Sequence, residues 1–109
     1  MNVRLYVWQR ATAALMVPFV LVHIAVIFYA TRQQMTAADI LSRTHGSAAW
    51  AAFYGAFVAA VSIHASIGVC NILTEWSPLR DRGAGWCAVL LGIVLALLGF
   101  RAVIALVLM

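Results

Sequence analysis

What this chain lacks sorts it before any motif is read. Lysine is absent, only three residues are acidic, and charged side chains fill 9% of the 109 positions while 66% are hydrophobic. A soluble domain carries roughly a quarter of its residues as charges, so that class is excluded. With no lysine-rich run, the net charge of +4 suits an anionic leaflet or an acidic partner and argues against nucleic-acid binding. The only two cysteines, Cys70 and Cys87, form no CxxC and no mixed Cys/His spacing, which argues against a zinc or iron–sulfur site. There are also no internal repeats and no acidic residues deep in an apolar run, the features expected of a transporter.

What is present is hydrocarbon in three long blocks. Ala11 to Ala30, Ala48 to Leu73 and Ala84 to Phe100 carry no Asp, Glu, Lys or Arg, and the last continues past Arg101 to Met109. A helix needs roughly 20 residues to cross about 30 Å of hydrocarbon. The pattern predicts an all-α membrane protein, a single domain over residues 1–109, with three transmembrane helices at about residues 7–30, 48–75 and 84–108 in up-down-up order. The first block is longer than the apolar core of a secretory signal, roughly 7–15 residues, and no small-residue cleavage site follows it, so it reads as a retained helix.

All seven basic residues are arginines, and their distribution sets an orientation. Arg4 and Arg10 precede the first span, and Arg80 and Arg82 lie between the second and third. Positive charge collects in cytoplasmic loops, which predicts a cytoplasmic N-terminus, and puts both cysteines near the reducing side, where a disulfide is disfavoured. Arg4, Tyr6, Trp8, Gln9 and Arg10 read as an interfacial belt, and Pro18 predicts a kink in the first span. In the opposite loop, Thr36-Ala37-Ala38-Asp39 followed by Ile40 and Leu41 predicts a short surface helix opened by a capping box. The second span is rich in alanine and glycine, which allows close helix approach, whereas the third is mostly Leu, Val and Ile and reads as the lipid-facing member.

One stripe on the second span carries chemistry. His64, Gly68, Asn71 and Glu75 share a helical face that ends at Trp76. An ionisable residue within a span is a functional-site hypothesis by default, and an imidazole is a standard axial ligand to haem iron. Gly68, without a side chain, leaves room for a flat group. His64 therefore reads as a haem ligand, or else as a buried histidine bonded to a backbone carbonyl. The first span shows its own stripe of Gln9, Thr12, Met16, Phe19 and His23. His23 lies too far toward the other membrane face to share one iron with His64, so the second ligand would come from another chain. His23 itself is open between a second-haem ligand and a core histidine, and His45 in the loop reads as solvated. Arg10 suits a haem propionate or a quinone carbonyl through its fork of donors, or simply the interface. Arg101 has the same two readings at the other end, and Glu75 with Trp76 borders a candidate small-molecule cleft.

Gln9-Arg10-Ala11-Thr12-Ala13, together with Ile63-His64-Ala65-Ser66-Ile67-Gly68 running on to Ile72-Leu73-Thr74-Glu75-Trp76, resembles the small membrane-anchor subunits of succinate dehydrogenase, the cytochrome b subunits of complex II. The resemblance is strongest to the hydrophobic anchor that partners the cytochrome b556 subunit, and it covers all three spans in order. It implies a multi-pass protein of the bacterial inner membrane in which His64 ligates haem b with a histidine of the companion anchor subunit. It further implies partnership with an iron–sulfur subunit and a flavoprotein subunit, and passage of electrons from succinate to ubiquinone near Arg10 and Trp76. Dehydrogenase chemistry would lie outside this chain. The family's usual Asp-Tyr pair is Glu75-Trp76 here, so an indole N–H replaces a phenol. His23 matches two-haem members. The alternatives are the anchor of a quinol:fumarate reductase, and a non-catalytic helical transporter or assembly module using His64 and Glu75.

Overall fold

The computed structural model describes residues 3–78 and 81–108. Four helices follow one another: α1 (Val3–Arg32), α2 (Ala37–Thr44), α3 (Ala48–Trp76) and α4 (Asp81–Val107). Three of them, α1, α3 and α4, are long and apolar enough to cross a membrane. The molecule is elongated, 48 Å long and 24 by 23 Å across, longer than about 30 Å of hydrocarbon. The interfacial belt expected ahead of the first span is itself helical, since α1 already begins at Val3 and runs unbroken through Pro18.

Helix α3 is the centre of the molecule, with α1 and α4 packed against it. Gln9 meets Gly68 and Asn71 while His23 meets Tyr54 and Phe57, so α1 and α3 run antiparallel. At mid-length their contact is aromatic. Phe19 lies edge-on to Phe53 at 5.3 Å and stacked on Phe57 at 5.7 Å, the offset and perpendicular geometries that ring quadrupoles favour.

The α3–α4 contact works differently. Lipid supplies no hydrophobic drive between helices, so close backbone approach is what holds them. Ala84 and Ala88 are buried, as is Ala60 on α3. A Cβ on Gly92 would run into the Ser66 hydroxyl, and one on Gly99 would stand 2.5 Å from a methyl of Val58. The small-residue seam thus lies on α4 as well as on α3. The expectation that the third span simply faces lipid holds for its outer side, where Leu90, Leu97 and Leu98 are exposed, and not for this seam.

The capping box on α2 forms as expected. Asp39 N–H donates to Thr36 Oγ1 at 3.2 Å, and Thr36 N–H donates to Asp39 Oδ2 at 2.8 Å. The helix then fastens onto the end of α4. Thr44 Oγ1 donates to the Leu106 carbonyl at 2.8 Å, and Gly46 N–H to the Val107 carbonyl at 2.6 Å. These carbonyls belong to the last turn of α4, which has no helical partners of its own. Gly46 does this at φ +72°, a conformation that L side chains resist.

Candidate functional site

His64 sits on the α1-facing side of α3, and its surroundings fix its chemistry. Its Nδ1 lies 3.3 Å from the Gln9 carbonyl oxygen and 3.4 Å from Thr12 Oγ1. The carbonyl can only accept. The Thr12 hydroxyl has one proton, which is directed to the carbonyls of Trp8 at 2.8 Å and Gln9 at 3.1 Å. Both partners therefore demand a donor, so Nδ1 carries the proton in a long, forked bond and the free electron pair falls on Nε2. Thr12 is only 3% exposed, which keeps water out of this arrangement. An imidazole whose far nitrogen is held by a backbone carbonyl is the usual preparation of a metal-ligating histidine, because the second bond sets tautomer and ring orientation.

Above and below, the two stripes interlock. A Cβ on Gly68 would stand 3.7 Å from Gln9 Nε2, so the space beside this glycine is taken by the Gln9 amide. Gln9 Oε1 in turn accepts from Asn71 Nδ2 at 3.3 Å. Toward the middle of α1, His64 joins Ala13, Met16, Val17, Val20 and Leu21 around a hollow of about 320 Å³. Val17 and Leu21 are 60% and 61% exposed, so this hollow opens on the outer flank of the chain. A histidine with a free Nε2 beside an apolar hollow could hold a haem, His64 donating to its iron and Met16, Val17 and Leu21 lining its edge.

Comparison of the chain with family models, with curated proteins and with solved structures gives no match in any of the three. The site is therefore argued from its own geometry.

His23 is held in another way. Its ring is clamped edge-on by Tyr54 at 5.7 Å and Phe57 at 5.6 Å, and its Nδ1 is buried with no hydrogen-bond partner among the described residues. The ring lines two apolar cavities of about 610 and 560 Å³. His64 touches Thr12 whereas His23 lies eleven residues further along α1, about 16 Å at 1.5 Å per residue. One iron cannot bridge them.

The remaining sequence candidates stand apart from this centre. Arg10 is exposed and its guanidinium lies 5.5 Å from the Tyr6 ring centroid. Trp76 is 83% exposed at the end of α3, beside the exposed Glu75. Glu75 lies eleven residues, about three turns, from His64 along α3. Arg101 is exposed on α4, and His45 is the exposed C-cap of α2. The sequence placed Gln9, Thr12 and Asn71 on the correct faces without giving them a task. The available signal was the Thr12 hydroxyl on the same stripe of α1 as Gln9; the Gln9 carbonyl is backbone and left no mark in the sequence.

Proposed function

We propose that this chain is a membrane-anchor subunit of succinate dehydrogenase, the succinate:quinone oxidoreductase of the bacterial inner membrane. The observation that carries the reading is the Nδ1 pairing of His64 with Gln9 and Thr12, which leaves Nε2 as a ready metal donor beside an apolar hollow. Haem b, bound there, would supply one-electron redox chemistry. This chain's residues do the rest by position: Gln9 and Thr12 hold the ligand's tautomer, and Met16, Val17 and Leu21 provide a dry wall. A histidine of the companion cytochrome b subunit would supply the second ligand. On the cytoplasmic face the iron–sulfur and flavoprotein subunits would dock, and succinate's electrons would pass through the iron–sulfur subunit to a quinone. Arg10 and Trp76, both exposed at the end where α1 begins and α3 finishes, can offer donors to quinone oxygens.

The test is a reduced-minus-oxidised optical spectrum of the complex purified from membranes through this chain. A b-type band is expected, together with co-purified flavoprotein and iron–sulfur subunits, and His64→Ala should abolish the band while the chain stays in the membrane. Absence of the band, or a band that His64→Ala leaves untouched, overturns the haem assignment. Absence of the two soluble subunits overturns the anchor role.

A further inference from the structure

At the end of the molecule opposite the start of α1, all four helices enclose a chamber that the proposed electron-transfer role leaves unused. It holds about 560 Å³ between Tyr29 of α1, Ile40 and Arg43 of α2, Trp50 and Tyr54 of α3, and Leu106 of α4. Its wall is almost wholly apolar or aromatic, and Arg43 is the one charged side chain in that wall among the described residues. The guanidinium is not loosely placed: it lies 5.6 Å from the centroid of Tyr29, stacked at the mouth. Asp39, one turn earlier on α2, directs its carboxylate to the Thr36 N–H and not to a bond with Arg43. Arg32 closes α1 at the same end and adds a second positive charge nearby.

Helix α2 connects two membrane-spanning lengths, so this mouth lies at headgroup depth, and Tyr29, Trp50 and Tyr54 are aromatics of the kind that sit there. A neutral hydrocarbon would fill the chamber without needing the arginine, and a soluble anion would need the arginine without the chamber. A molecule with an anionic head and an apolar chain uses both. Phosphate oxygens match the planar fork of a guanidinium. We propose that this chamber binds one anionic phospholipid, with its phosphate on Arg43 and an acyl chain in the cavity under α2. The site stands independently of the haem reading, since it shares no residue with the His64 pocket.

The test uses the purified complex, delipidated in detergent and titrated with phosphatidylglycerol or phosphatidylcholine of identical acyl chains, with bound lipid counted by native mass spectrometry. One retained phosphatidylglycerol is expected, in preference to phosphatidylcholine. Arg43→Gln should weaken it about fivefold, the effect of one arginine at a membrane surface, and Arg43→Lys should keep most of the preference. Ala30→Phe, which fills the cavity, should remove the retained lipid of either kind. Arg82→Gln, at the far end, should change nothing. Retention of each variant in the membrane and its helical circular dichroism report folding separately. Equal retention of the two lipids, or equal losses for Arg43→Gln and Arg82→Gln, overturns the site and leaves only general lipid contact.

Discussion

His64 and His23 are the same residue type, half-buried in two long helices of one small protein, and they are held by opposite means. His64 is bonded through Nδ1 to a carbonyl and a hydroxyl of the neighbouring helix. His23 is gripped by two aromatic edges, and its buried Nδ1 has no partner among the described residues. A hydrogen bond decides which nitrogen carries the proton, whereas ring packing decides only where the ring lies. Depth in the membrane therefore does not fix a histidine's tautomer; what its second nitrogen touches does.

The largest expected effect is at His64 itself, where replacement by alanine should remove the b-type band described above. Next comes Thr12→Val. It keeps shape and burial but deletes the hydroxyl, leaving Nδ1 with the Gln9 carbonyl alone. Loss of such an outer partner typically lowers metal affinity 10–100-fold; haem per complex measured across a titration checks it, and an unchanged value would mean that the Gln9 carbonyl suffices. Third, His23→Phe should leave the spectrum and haem count as they are. It should stabilise the protein by about 1 kcal/mol, because a buried unpaired polar atom is removed. A halved haem count would instead make His23 a second ligand and erase the contrast. Smallest is a pH effect at the His23 end. Asp39 is held below its usual carboxylate value chiefly by the Thr36 backbone N–H, then by the Thr36 hydroxyl and Arg43. A lowered folded-state value means that this contribution is present above the ordinary value of 3.8 and lost as pH falls through the folded one. Hydrogen exchange in α2 should accelerate there, with the α3 amides around His64 unaffected.

Much of this architecture was legible in the chain. The three spans follow from uninterrupted apolar length, and α2 follows from Thr36 and Asp39 at capping-box spacing, because these are local properties. The seam on α4 was harder to see. Ala84, Ala88, Gly92 and Gly99 recur at helical spacing, but they are diluted among leucines and valines, and only the partner helix reveals that Val58 and Ser66 press on them. His64 could be singled out from its stripe, yet its tautomer could not. That depends on register between α1 and α3, which sets Gln9 and Thr12 opposite it and puts Gln9 into the space beside Gly68. Register between helices is a pairwise property and leaves no mark on either helix read alone.

The division of packing within the molecule has a mechanical consequence. Helices α3 and α4 meet at a seam so close that an added carbon at Gly99 would press on Val58 and one at Gly92 would displace the Ser66 hydroxyl, whereas α1 rests on α3 through rings and a few hydrogen bonds. Any tilt of one long helix relative to the others should fall on α1. The imidazole of His64 belongs to the rigid pair and the acceptors of its proton belong to α1. Rocking α1 would stretch the Nδ1 bond and weaken the donor strength of Nε2, so the midpoint potential of an iron held there would act as a gauge of where α1 stands.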